Sequence, residues 1–317
     1  MGVRAHCRPD VRRPGPRGLP LSFRSGFATV VGRPNVGKST LVNRLVGEKV
    51  AIVSDKPQTT RNRILAVLNR PDGQVVLFDT PGIHKPMHRM NERMVQTAVE
   101  SLAQVDLAVW LVDATEEYGP GDRYVKDVLR RAGKPVGLGL NKIDRLVKTR
   151  LLPLIDQYRR LLDFVEVVPL SALTGENVEL LAGRLVAHLP EGERLYPEDF
   201  ITDLPERFFV AEMIREQVLR HTREEIPYST GVMIDSFQEG EPLVRIEASI
   251  LVERQSQKGI LIGRGGAMLK AIGSAARREI ESFLGSKVFL GLFVKVRERW
   301  REDPAVLEEM GLGRSGR

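Results

Sequence analysis

The chain has 317 residues, 42% hydrophobic and 28% charged, a globular composition long enough for two domains. No apolar run reaches the ~18 residues of a membrane-spanning helix. The single cysteine, Cys7, excludes a disulfide framework or a cysteine-rich metal centre and fits a reducing cytoplasmic setting. The formal charge of +7 is unevenly placed, because residues 254–301 carry 11 basic and only 3 acidic side chains. Such a block suits a polyanion.

Residues 1–25 hold six arginines among Pro9, Pro14, Pro16 and Pro20. They read as a disordered basic arm, with an arginine-rich presequence or a start assigned too far upstream as alternatives. From Phe27, apolar runs alternate with amphipathic segments: Ala28–Val31, Val75–Phe78, Leu107–Val112, Val136–Leu140 and Val165–Pro169. Short buried strands separated by helices predict an α/β domain over 26–190, a mostly parallel sheet with helices on both faces. The acidic, proline-bearing stretch 191–201 predicts a linker.

Residues 202–302 follow a different order, α-β-β-α-α-β. Val210, Met213, Ile214 and Val218 mark one helix face. Strands are predicted over Tyr228–Phe237 and Leu243–Arg254, the second alternating cleanly through Val244, Ile246, Ala248, Ile250 and Val252. A short helix leads into Gly263, a long one runs from Ala267 to about Phe283, and a last strand spans Lys287–Val296. Residues 303–317 read as a tail.

The first domain carries its chemistry at strand ends. Gly32-Arg33-Pro34-Asn35-Val36-Gly37-Lys38-Ser39 matches GxxxxGK[ST], with Thr40 following, between a strand and a helical run. This is a P-loop NTPase signature. Glycines let backbone N–H groups turn inward around phosphates, and the helix N-terminus adds partial positive charge. Lys38 is placed for the β- and γ-phosphates, and the Ser39 hydroxyl for Mg²⁺. Asp79-Thr80-Pro81-Gly82-Ile83 ends the second strand, with Asp79 as a Mg²⁺ holder and the Gly82 N–H as a γ-phosphate sensor.

In Asn141-Lys142-Ile143-Asp144, the Asp144 carboxylate can accept from the N1–H and 2-amino group of guanine. Adenine offers neither donor, so the nucleotide pair is GTP and GDP. Ser171-Ala172-Leu173 can present the Ala172 N–H to the guanine O6. Within Pro57-Gln58-Thr59-Thr60-Arg61, Thr60 is favoured over Thr59 to complete the Mg²⁺ shell. Lys38, Thr60 and Gly82 form the expected catalytic set. Ile83 stands where Ras-like GTPases carry a water-orienting glutamine. The intrinsic rate is therefore expected to be slow or K⁺-stimulated, with Asn35 the candidate K⁺ ligand.

Gly263-Arg264-Gly265-Gly266 sits at the helix–helix junction of the second domain, inside the basic block. A GxxG turn there matches a type II KH domain, which clamps single-stranded RNA. Lys258, Arg264 and Lys270 would meet phosphates, and Ile260 and Ile262 would line the groove for bases.

Together the Gly32–Thr40 loop, Pro57–Arg61, Asp79-Thr80-Pro81-Gly82-Ile83-His84-Lys85-Pro86, Asn141–Asp144 and the GxxG domain resemble the Era family of bacterial ribosome-assembly GTPases, over roughly Gly26 to Arg301. The resemblance implies binding to the 3′ end of 16S ribosomal RNA, action in assembly of the 30S subunit, and peripheral association with the inner face of the cell membrane. A monomeric, nucleotide-gated RNA binder is the expected mechanism, with GTP and Mg²⁺ ordering the segments around Thr60 and Gly82. The competing readings are a non-catalytic RNA-binding protein with a vestigial nucleotide site and a membrane-surface GTPase.

Overall fold

A computed structural model describes residues 23–54, 56, 59–84, 86, 89–222 and 226–312. The predicted basic arm, Cys7, Pro57, Gln58 and Lys85 fall outside these, except that Phe23 to Ser25 belong to the folded domain.

The first domain runs β1 (Arg24–Val31), α1 (Lys38–Val46), β2 (Ile64–Arg70), β3 (Gly73–Asp79), α2 (Arg89–Ala103), β4 (Leu107–Asp113), α3 (Pro120–Ala132), β5 (Val136–Asn141), α4 (Leu151–Arg159), β6 (Glu166–Pro169) and α5 (Val178–Ala187). The six strands lie in the order β2-β3-β1-β4-β5-β6. All pairs are parallel except β2 with β3. β2 is the one strand absent from the predicted set. Its apolar run Ile64–Leu68 pairs through the turn Pro71-Asp72-Gly73, a hairpin chemistry of its own.

Each face of the sheet is covered. On one side Leu41, Val42 and Leu45 of α1 pack with Leu181 and Leu185 of α5. On the other, Ala98 and Leu102 of α2, Leu129 of α3 and Tyr158 of α4 enclose Trp110. Parallel strands buried on both faces run continuously apolar, which is why β4 reads Leu-Ala-Val-Trp-Leu-Val.

The linker is tied down along the sheet. Gln74 accepts through Oε1 from the backbone nitrogens of Leu195 and Tyr196 and donates through Nε2 to the Tyr196 carbonyl. Val67 donates to the carbonyl of Ile201 at 2.8 Å. Tyr196 and Phe200 pack on the cluster around Phe78 and Val67.

The second domain comprises α6 (Glu206–His221), α7 (Ile226–Ser229), β7 (Gly231–Gln238), β8 (Leu243–Val252), α8 (Gln255–Ile262), α9 (Ala267–Leu284) and β9 (Lys287–Val296). Its sheet order is β7-β8-β9, antiparallel then parallel. The predicted first strand is corrected at its start, since Tyr228 belongs to the turn of helix α7. The alternation along β8 holds, with Val244, Ile246, Ala248, Ile250 and Val252 all buried.

The predicted tail is corrected too. Residues Pro304–Glu309 form α10, and Val306, Leu307 and Leu312 bury against Met90 and Met94 of α2 together with Leu251 and Trp300. This segment thus packs on both domains.

Candidate functional site

The carboxyl ends of β1, β3, β5 and β6 gather the four predicted stretches on one edge, as open α/β sheets do. Between β1 and α1 the loop needs two left-handed residues, Asn35 at φ 65° and Gly37 at φ 98°. Gly37 also lies under the Asn141 amide, where a Cβ would come within 2.4 Å of Nδ2. Glycine therefore satisfies both the dihedral and the close approach.

Three predicted Mg²⁺ ligands converge. Ser39 Oγ lies 2.7 Å from Thr60 Oγ1 and donates to Asp79 Oδ2 at 2.7 Å, while Thr60 Oγ1 donates to the same Asp79 oxygen at 3.3 Å. Thr59, the alternative, turns away and donates to the carbonyl of Lys56. Asp79 is wholly buried, and its Oδ1 has no hydrogen-bond partner among the described residues. Burial raises the Asp79 carboxyl above its usual range, opposed in part by Ser39, Lys38 and Thr60. Two hydroxyls beside a carboxylate with an orphaned buried oxygen are a hard, all-oxygen donor set that fits Mg²⁺.

The Lys38 ammonium, also buried, donates to the carbonyl of Arg33 at 2.9 Å. Burial lowers its pKa to about 8 against an upward pull from Asp79. The Arg33 side chain points the other way, to Asp122 at 3.0 Å and Glu116 at 2.9 Å, so Arg33 can serve a nucleotide only through its backbone. Val36 buries its side chain in the core.

Asn141 rivets the guanine end. Its Nδ2 donates to the Val36 carbonyl at 2.7 Å and its Oδ1 accepts from the Ala172 N–H at 2.8 Å. The N–H expected to face the guanine O6 thus lies at this edge on the Asn141 amide oxygen. Lys142 spans the loop, donating to the Asn35 carbonyl at 2.9 Å and pairing with Asp113 at 2.5 Å. Burial raises the Asp113 carboxyl, but Lys142 and Thr115 outweigh it and hold the group below its usual range. Asp144 is exposed at the surface of this edge, next to half-buried Ile143. Ser171 is fully buried and accepts from the Thr174 N–H. Leu173 is exposed and its carbonyl takes the Arg44 guanidinium.

Thr80 donates to the Val30 carbonyl at 2.9 Å, and Pro81 is buried beside it. Ile83 is corrected as a nucleotide contact: its side chain is fully buried in the core and its N–H donates to the Gly32 carbonyl at 3.0 Å. Gly82, by contrast, lines the phosphate cleft with Thr40. Ile52, Val53 and Ser54 also line it and escaped the sequence reading. Their position between α1 and Thr60 was the available signal.

In the second domain three of the four turn residues, Gly263, Gly265 and Gly266, have φ of 71°, 59° and 80°. A Cβ on Gly263 would meet Met268, whereas those on Gly265 and Gly266 would meet nothing within 4 Å. The turn is thus open on its outer side, capped onto the N-terminus of α9. Lys258 is half-buried; Arg264 and Lys270 are exposed, and among the described residues none of the three has an ion pair. The three apolar residues before the turn divide: Leu261 is core, Ile262 is partly buried and Ile260 is half exposed. Other members of the basic block are engaged, Arg301 with Glu253 at 2.5 Å and Arg297 with Asp303 at 2.7 Å.

Comparison with known proteins separates the two halves and then joins them. A family model described as a 50S ribosome-binding GTPase matches residues 27–142, and one described as a KH domain matches residues 225–301. Over nearly the whole chain, the sequence is 51% identical to GTPase Era of Trichlorobacter lovleyi (92% of this chain, 98% of that protein). It is 53% identical to GTPase Era of Geobacter metallireducens (91% and 98%). Among solved structures, Era in complex with MgGDPNP and nucleotides 1506–1542 of 16S ribosomal RNA superposes with a TM-score of 0.89 at 41% identity, covering 92% of this chain and all of that one. A point variant of Aquifex aeolicus Era bound to GDP·AlF4⁻ gives 0.88 at the same identity and coverage.

Proposed function

Because the chain belongs to the Era family of GTPases, we propose that it is a Mg²⁺-dependent GTP switch that gates binding of the 3′ end of 16S ribosomal RNA during assembly of the 30S subunit. The observation that carries the switch is the meeting of the Ser39 and Thr60 hydroxyls on Asp79 Oδ2, with the buried Oδ1 of the same carboxylate left without a partner among the described residues. These three residues would hold the ion, which supplies charge neutralisation on the β- and γ-phosphates when bound. Lys38 binds the same phosphates, Gly82 offers its N–H toward the γ-phosphate, and Asp144 selects guanine.

The RNA reading rests on the open Gly263–Gly266 turn, on Lys258, Arg264 and Lys270, which have no ion pair among the described residues, and on the RNA-bound relative that covers 92% of this chain. The 50S description attaches to residues 27–142 alone, whereas the 16S relative spans both domains, which favours the small subunit. Buried Ile83 leaves the attacking water without a side-chain positioner, so Asn35 is assigned to a K⁺ that stimulates hydrolysis. The protein acts as a monomer in the cytoplasm, touching the inner membrane face peripherally.

GTP turnover present in the parent and lost in Lys38→Ala tests the enzyme. A higher rate in KCl than in NaCl tests the cation. Affinity for a 16S 3′-end oligonucleotide that is greater with a non-hydrolysable GTP analogue than with GDP tests the gate. Equal affinity in both states rejects the gate.

A further inference from the structure

Thr60 is held from both sides by the RNA-binding domain. On its N-terminal side, Arg215 of α6 donates through Nη2 to the carbonyl of Thr59. On its C-terminal side, Arg61 donates through Nη1 to the carbonyl of Thr230 at 2.8 Å and lies over the Trp300 ring, 5.8 Å from its centroid. Neither guanidinium is on the surface: Arg215 is 1% exposed and Arg61 4%. Glu212 pairs with Arg215 at 2.6 Å. Among the described residues Arg61 has no ion pair, and Arg61 Nε and Arg215 Nη1 are buried without hydrogen-bond partners.

Burying two cations against one carboxylate, with idle N–H groups, costs stability. An apolar pair of the same volume would pack this joint at less cost. What the two arginines do supply is direction. Each fixes a backbone carbonyl across the domain boundary, one a residue before Thr60 and the other through the residue after it. The Thr60 hydroxyl is thereby kept 2.7 Å from Ser39 Oγ.

We propose that Arg215 and Arg61 are positioning residues for Thr60, so that the RNA-binding domain sets how strongly the nucleotide site prefers GTP over GDP. The inference rests on the reading of Ser39, Thr60 and Asp79 given above. The γ-phosphate and its Mg²⁺ order the switch loop, whereas GDP makes no demand on Thr60. A displaced Thr60 therefore weakens the triphosphate form selectively. By linkage, any event in the second domain that moves α6 or Trp300 changes that same preference.

The test uses the full chain and two titrations, Mg-GDP and a Mg-bound non-hydrolysable GTP analogue. In Arg215→Met, affinity for the analogue should fall on the order of tenfold, within the usual span of coupling between sites, while affinity for GDP stays within about twofold. The Mg²⁺ concentration that half-saturates analogue binding should rise. Arg215→Lys should recover part of the loss, because an ammonium can still donate to the Thr59 carbonyl. Glu212→Gln, which keeps the shape and loosens Arg215, should shift the ratio the same way by less, and stands in if Arg215→Met does not fold. An unchanged ratio in folded variants, or equal loss for both nucleotides, overturns the assignment. A parent protein that binds neither nucleotide would instead overturn the switch reading itself.

Discussion

Gly82 and Pro34 touch: a Cβ on Gly82 would lie 2.8 Å from the Pro34 nitrogen and 2.9 Å from its Cα. The two residues belong to different loops, one closing β3 and the other leaving β1, so Gly82, the residue proposed to sense the γ-phosphate, rests directly on the phosphate loop. The neighbouring bond from the Ile83 N–H to the Gly32 carbonyl fastens the same junction. Gly82→Ala must push one loop away, because backbone and a proline ring leave no flexible neighbour to yield. Overpacking of this kind costs ~1–3 kcal/mol. GTP turnover should fall at least ~10-fold, the factor that ~1.4 kcal/mol represents in a barrier, with a lowered melting temperature. Parent-like turnover would show that the contact gives way freely.

Asp144→Asn should exchange guanine for xanthine. In the proposed site the carboxylate accepts from two guanine donors, and charged hydrogen bonds contribute ~1.5–3 kcal/mol each. An amide replaces one acceptor by a donor, which faces the 2-amino group of guanine but matches the 2-carbonyl of xanthine. Competition of GTP and XTP for the same site checks this, with the order of affinities reversed in the variant.

Replacing Arg264 and Gly265 together by Asp should abolish RNA binding and spare GTP hydrolysis. Two carboxylates would face the phosphates at an exposed, left-handed turn where Asp also strains the backbone. The milder Arg264→Ala should reduce the salt slope of oligonucleotide binding by ~0.7, the share of one phosphate on a single strand. Unchanged RNA affinity in the double variant would move the site elsewhere.

The Lys142–Asp113 pair gives a stability signature with a defined sign. Asp113 has a carboxyl held below its usual range in the fold, so the pair's contribution is complete above the unfolded value of about 3.9 and is lost as pH falls through the lower, folded value. With Asp113 nearly buried and Lys142 partly exposed, Lys142→Met should cost ~1 kcal/mol in urea unfolding at pH 7. The gap between variant and parent should narrow steadily below about pH 4. A gap that persists at low pH would assign the loss to packing of the lysine stem.

The nucleotide site was readable because its demands are local. Gly37, Lys38 and Ser39 must follow one another, and Asp79 and Asn141 must end strands, so residue types and spacing suffice. The preference for Thr60 over Thr59 was drawn from the segment although both hydroxyls fit it, and the fold adds a reason, with Thr59 bonded to the Lys56 carbonyl. Strand β2 was passed over although Pro71-Asp72-Gly73 announces its hairpin. Arg215 was illegible for a deeper reason. A cation on a helix reads as a solvated face, and α6 is buried on several sides because two domains meet around it, taking Arg215, Glu216 and Gln217 inside. The same holds for Val306 and Leu307, whose partners on α2 lie some two hundred residues away in sequence.

The placement of Trp300 has an optical consequence. The protein has two tryptophans, both fully buried, Trp110 in the core of the first domain and Trp300 at the joint with its indole N–H on the Ser229 carbonyl and the Arg61 guanidinium over its ring. With Trp110→Phe, the remaining indole emits from beside a charge carried by the switch segment itself. Withdrawal of that segment removes the cation from the ring, and the emission should change with it. If the proposed switch moves this joint, the molecule holds an unlabelled fluorophore there, able to time nucleotide exchange in a stopped-flow trace.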